Sequence, residues 1–176
     1  MVQMIKINRA SAGSWPLRRR QLLAFTRLCG GRRITREELC RLAGLTLEDL
    51  EQPGSSLLYA CVRTERGTQT AGLCLTLGYG EDTCLVVVRP LYRDAGLGTR
   101  LVTAQLQQLG KLSCRVPYDH IPCLKICLHA GLTATRIIQT PGGKASLVFQ
   151  GTSTALNGSD AGDDRDKEDW LCLNLS

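Results

Sequence analysis

Residues 84–101 read CLVVVRPLYRDAGLGTRL, and the remainder of the chain can be arranged around them. Leu85 to Val88 is an unbroken apolar run rich in β-branched residues, which predicts a strand buried on both faces. Pro90 has no N–H to give to a ladder, so the strand is expected to end there. Gly96 and Gly98 permit a tight turn with close backbone approach, and a helical pattern begins near Gly98. The amides of such a turn, with those of the first helical turn, converge on one small volume at the positive end of a helix dipole. That volume suits a phosphate. Arg93 and Arg100 add positive charge beside it.

Two nucleotide-binding patterns are absent. No G-x-x-x-x-G-K-(S/T) loop occurs, and Gly98 is followed by Thr99, Arg100 and Leu101 rather than by the third glycine of G-x-G-x-x-G. The order V-x-P-x-Y-R-x-x-G-x-G-T-x-L, from Val88 to Leu101, is more specific. It resembles the acyl-coenzyme A binding motif of the GNAT superfamily of N-acetyltransferases, matching at Val88, Pro90, Tyr92, Arg93, Gly96, Gly98, Thr99 and Leu101. The resemblance implies that Arg93, Asp94, Ala95, Gly96, Leu97, Gly98 and Thr99 bind the pyrophosphate of coenzyme A through backbone amides. It also implies that Val86, Val87 and Val88 hold the pantetheine arm and orient the thioester through main chain.

A chain of 176 residues suits one domain with a sizeable core. No apolar run approaches membrane-spanning length, and the amino terminus is too short and interrupted for a secretory signal, so a cytoplasmic location is expected. The nine cysteines are odd in number, contain no C-x-x-C pair, and fall within strand-like and helix-like segments. Reduced thiols serving as small hydrophobes are therefore expected, and a zinc site around Cys123 and Cys127 is not. Residues 1–150 hold 20 Lys/Arg against 10 Asp/Glu, whereas residues 151–176 hold two against six. A basic body suits an anionic cofactor. No aromatic-studded basic strand or recognition helix marks a dedicated nucleic-acid domain.

In order, the pattern predicts a short strand over Val2–Asn8, then a helix from Ser14 with an apolar face of Leu17, Leu22, Leu23, Phe25 and Leu28. Thr35 with Glu38 reads as a capping box for a second helix, and Thr46–Asp49 can start another turn. Strands follow at Leu57–Thr64, Thr70–Leu77 and Thr83–Val88, then a helix at Gly98–Leu109, a strand at Leu112–Pro117 and a helix at Ile121–Ala130. A final hairpin, Leu132–Gln139 with Ala145–Gln150, turns through Thr140–Gly143. The expected class is α/β (α+β), a mixed and mostly antiparallel twisted sheet flanked by helices. Residues 1–151 form the domain, and 152–176 an acidic, flexible tail. Within that tail, 170–175 is apolar enough to dock as an end strand or to serve as a partner-binding peptide.

The resemblance implies acetyl-coenzyme A as cofactor and a primary amine, small-molecule or peptide, as acceptor; a homodimer is compatible with it. The family's usual acid is a tyrosine in N-x-x-(A/S)-x-x-L-Y-x-x-x-G-F. Laying Gly131-Leu132 on the final pair puts His120 at the Asn and Cys127 at the Tyr, so the expected tyrosine is missing. Cys127 could protonate the leaving thiolate or could be a core residue. For a base, Glu81 precedes the motif strand, and His120 has a suitable intrinsic pKa. Arg18, Arg19, Arg20, Arg32, Arg33 and Arg36 make the region of the first helices basic, which fits an acceptor with a carboxylate or phosphate, or a solvated face. The alternative from another class is a non-catalytic module that binds coenzyme A and acts through a protein or nucleic-acid partner.

Overall fold

A computed structural model describes residues 2–9, 13–65, 67–139, 145–153 and, for the backbone alone, 172–173. The elements follow the expected order. They are β1 (Val2–Lys6), α1 (Trp15–Gly30), α2 (Arg36–Gly44), α3 (Leu47–Glu51), β2 (Ser56–Thr64), β3 (Gly67–Leu77) and β4 (Thr83–Val88). Then come α4 (Leu97–Leu109), β5 (Lys111–Pro117), α5 (Ile121–His129), β6 (Thr133–Gln139), β7 (Ala145–Thr152) and β8 (Cys172–Leu173). Both short helices start at capping boxes. The Glu38 amide donates to Thr35 Oγ1 at 3.2 Å while Thr35 N–H donates to the Glu38 carboxylate at 2.7 Å, and Thr46 with Asp49 repeats the arrangement.

The strands form two antiparallel sheets, in the orders β4-β3-β2-β1-β8 and β5-β7-β6. β2 and β3 lie at the centre of the first and are covered on both faces. Leu22, Phe25, Leu42 and Leu45 from the helices pack with Leu57, Tyr59, Leu73 and Leu75 on one side. Leu97 and Leu101 of α4 pack with Leu58, Ala60 and Cys74 on the other. The Gln105 amide pins α4 in place by donating to Ser56 O and Cys74 O at 3.2 and 3.0 Å. α5 and the far end of α4 cover the second sheet through Val102, Leu106, Leu112, Val116, Cys127 and Phe149.

Two expectations need correction, and an alternative left open at the end of the chain is decided. β4 is not buried on both faces. Thr83, Leu85 and Val87 are buried, whereas Cys84, Val86 and Val88 are half-buried, because β4 is the last strand of its sheet and its second face borders a gap. The apolar face of α1 is narrower than its leucines suggest: Leu17 and Leu28 are exposed, and Trp15 and Cys29 complete the buried stripe instead. The end of the chain contributes a strand, since Cys172–Leu173 pairs with Gln3 and Val2 at the outer edge of β1. The expected turn at 140–143, and the tail over 154–171 and 174–176, lie outside the described residues. Among the described residues no helix is long and apolar enough to cross a membrane.

Candidate active site between the two sheets

β4 and β5 belong to different sheets, and no ladder joins them. Gly80, just before β4, lies directly against the Ser113 carbonyl of β5, and Lys111 Nζ sits 4.3 Å from the centre of the Tyr79 ring. At the start of α4, a Cβ on Gly98 would lie 2.6 Å from Ile126 Cδ1 of α5 and 3.6 Å from Val88 Cγ2 of β4. The carboxyl ends of β4 and β5, with the starts of α4 and α5, therefore frame a cleft that neither sheet closes.

The β4 side of this cleft is main chain. Arg89 N–H donates to Ala71 O at 2.8 Å, and Val87 stands opposite Leu73. Backbone groups alternate sides along an antiparallel strand, so the amides and carbonyls of Val86 and Val88 point away from β3, into the gap. The outward Val88 carbonyl accepts from Arg93 Nε at 3.1 Å, and Arg93 Nη2 reaches the Cys29 carbonyl at 2.7 Å. The Arg93 guanidinium thus ties the turn to the end of α1. Asp94 (φ 63°) and Gly96 (φ 74°, ψ 0°) both take left-handed conformations, which Gly96 adopts without strain. α4 then begins with no side-chain cap and no acidic residue in its first turn. The amides at its start have no partner within the helix, and they carry the positive end of a 13-residue dipole.

This end of α4 fits the phosphates of coenzyme A. A Cβ on Gly96 would meet nothing within 4 Å, so the space over the turn is open. Gly98 has another reason to be glycine: it is buried, and its missing side chain makes room for Ile126 of α5. The free edge of β4, with Val86 and Val88 half-buried, suits an extended arm laid along it.

The α5 side is built of side chains. His120 is the N-cap of α5 and is half-buried. Burial, and then the nearby Arg33 guanidinium, hold its pKa below the ordinary histidine value, outweighing Asp119. Arg33 Nη1 reaches Asp119 Oδ1 at 3.1 Å, linking the segment between α1 and α2 to the start of α5 across the mouth of the cleft. Cys127 lies one face deeper, 2 % exposed, with its sulfur 3.4 Å from that of Cys114. The neighbouring Cys114 and Cys123 thiols push its pKa down while burial pushes it up. Buried and turned towards Cys114, Cys127 has the surroundings of a core residue rather than of a proton donor to the cleft.

Glu81 stands apart from this group. It is exposed at the beginning of β4, in a groove of about 490 Å³ that Tyr79, Lys111, Ser113 and Gln150 also line. His120, at the end of β5, lies at the opposite end of the gap. The arginines expected to meet an anionic acceptor are also divided. Arg18 stacks 5.4 Å from the Tyr59 ring centre and Arg19 donates to the Leu45 carbonyl at 2.8 Å, so both serve the scaffold, whereas Arg33 faces the cleft. Nothing in the sequence marks the Arg33–Asp119 contact, which spans 86 positions.

No protein-family model matches the sequence, and no curated protein is similar to it at sequence level. Solved structures are similar in fold. NAA60 of Arabidopsis thaliana, determined with acetyl-CoA, has a TM-score of 0.61 at 13 % identity, covering 87 % of this chain and 100 % of its own. A Desulfovibrio desulfuricans protein assigned to the GNAT acetyltransferases has a TM-score of 0.59 at 18 % identity, covering 86 % and 99 %. The ribosomal-protein-S18-alanine N-acetyltransferase of Escherichia coli gives 0.58 at 12 % identity, covering 93 % and 98 %. The fold is that of the GNAT acetyltransferases. In the GNAT-like frame the motif residues 88–101 run from the end of β4 through the turn into α4, where the resemblance in sequence puts them.

Proposed function

We propose that this chain is an acetyl-CoA-dependent N-acetyltransferase acting on a primary amine. The observation that carries the reading is the uncapped start of α4 behind Gly96, placed beside the outward amides of an unpaired β4 edge. Bound acetyl-CoA would supply the acetyl group as an activated thioester. The residues Arg93 to Thr99 bind its phosphates through backbone amides, with Arg93 shaping the turn. The Val86 and Val88 amides hold and polarise the carbonyl, a task that needs donors fixed in place. His120 accepts the amine proton as the acceptor attacks, for which a neutral imidazole at neutral pH is required; burial and Arg33 favour that form. Arg33 and Asp119 restrict the mouth of the cleft. The leaving thiolate is protonated by solvent, since Cys127 is buried against Cys114.

The reading puts the enzyme in the cytoplasm, which the eight free cysteines among the described residues support. The test is to incubate the protein with acetyl-CoA and a panel of amines and to measure free thiol. Acetyl-CoA binding with amine-dependent thiol release is expected. Tight binding without release from any amine would favour the non-catalytic module, and no binding would reject both.

A further inference from the structure

Five cysteines, Cys74 on β3, Cys84 on β4, Cys114 on β5 and Cys123 and Cys127 on α5, pack into the cores where the two sheets meet. Within this group the Cys114 and Cys127 sulfurs are in contact at 3.4 Å. This pair is 4 % and 2 % exposed, while Cys84 and Cys123 are half-exposed. Among the described residues no group of three or more His, Cys, Asp or Glu is placed to hold a metal ion.

The Cys114 and Cys127 sulfurs are 3.4 Å apart, and a disulfide needs about 2.05 Å, a shift that small side-chain rotations supply. Their side chains already face each other from a strand and a helix joined by a short connection.

We propose that Cys114 and Cys127 are an oxidisable dithiol which a peroxide converts to a disulfide linking β5 to α5. The Cys127 sulfur attacks one peroxide oxygen; the S–O bond forms, the O–O bond breaks, and the departing hydroxide takes the Cys127 proton. The Cys114 sulfur then attacks the Cys127 sulfur; the S–S bond forms, the S–O bond breaks, and the hydroxyl leaves as water with the Cys114 proton. Two thiols lose two hydrogens, and one peroxide becomes two waters. The chemistry is independent of acetyl transfer, because both sulfurs are turned to each other rather than to the cleft.

The test uses the full reduced chain and stoichiometric hydrogen peroxide at neutral pH without denaturant, followed by alkylation and thiol counting after unfolding. Two fewer thiols than the nine of the sequence are expected. Trypsin separates the candidates, placing Cys114 in 112–115, Cys123 in 116–125 and Cys127 in 126–136. A link between 112–115 and 126–136 is expected. It should disappear in Cys114→Ser and persist at an unchanged rate in Cys40→Ser, which removes an exposed thiol. A full count of nine, a link between any other pair, or a link formed only in urea would overturn the proposal; wild-type mapping decides it even if Cys114→Ser fails to fold.

Discussion

The two banks of the gap are built on different terms. On the β4 bank the groups that face the cleft are backbone: the amides of Val86 and Val88, the turn at Gly96, and the start of α4. On the β5–α5 bank they are side chains, those of Asp119 and His120. A backbone site depends on where strands end and helices begin, and many side chains satisfy it. A side-chain site depends on the identity of each residue. The first bank follows the GNAT-like pattern through Val88–Leu101, whereas the second departs from it where a tyrosine would stand.

The joint that sets the two banks apart is the most sensitive place to break this arrangement. Gly80 has φ 89° and lies against the Ser113 backbone, so Gly80→Ala combines left-handed strain with a clash that no side-chain movement relieves. A loss of about 3 kcal/mol in unfolding free energy is expected from denaturant midpoints. A loss under about 1 kcal/mol would mean that β4 and β5 can move apart freely at their beginnings.

On the side-chain bank, His120→Gln should lower turnover by about 10²-fold while leaving acetyl-CoA affinity unchanged, the range for losing a general base. The sign of the pH dependence follows from the lowered pKa. The proton is bound less readily in the folded protein than in the unfolded chain, so this group's contribution to stability is present above the ordinary histidine pKa and is lost as pH falls through the lowered one. Activity should fall along the same limb, with a midpoint below the ordinary histidine value, and the limb should vanish in His120→Gln. An acid limb that survives the substitution would remove His120 from the mechanism.

Two glycines of one turn separate the banks further. Gly98→Ala should cost about 1–2 kcal/mol because its Cβ meets Ile126 Cδ1, and Ile126→Val should recover part of that loss by removing the atom in the way. Gly96→Ala meets nothing, so only the left-handed conformation is strained, at about 1 kcal/mol. Its larger effect should be on acetyl-CoA affinity, read by calorimetry. If Gly98→Ala lost affinity with no loss of stability, Gly98 would belong to the cofactor site rather than to the contact between α4 and α5.

That pair also marks how far the sequence can be read. The limits of β4, the Thr35–Glu38 capping box and the strand–turn–helix order were all legible, because Pro90, Thr35 with Glu38, and Gly96 act on their own neighbours. The reason for Gly98 was not legible, because Ile126 reaches it from another helix. The apolar run 85–88 carried no sign that Val86 and Val88 face a gap, since edge and central strands share the same β-branched residues. Glu81 and His120 looked like candidates for one role, and only the fold sends them to opposite ends. Cys114 and Cys127, from a strand and a helix, are brought into contact through topology alone.

The smallest effect is expected far from both banks. Among the described residues, β8 adds Cys172 and Leu173 to the edge of β1, opposite Gln3 and Val2. Ser153 N–H, by contrast, donates to the Gly110 carbonyl at 2.7 Å and should be kept. A chain ending after Ser153 should therefore lose less than about 1 kcal/mol, because a two-residue ladder contributes few net hydrogen bonds. Acetyl-CoA affinity should not change, since neither bank of the gap touches β1. The uncovered β1 edge should still show itself, because an unpaired strand edge invites pairing with a second chain. Light scattering of the shortened protein at increasing concentration is the measurement. Self-association with an unchanged melting temperature would identify β8 as an edge cover. A melting temperature lower by more than about 5 °C would show instead that the end of the chain is part of the folded core.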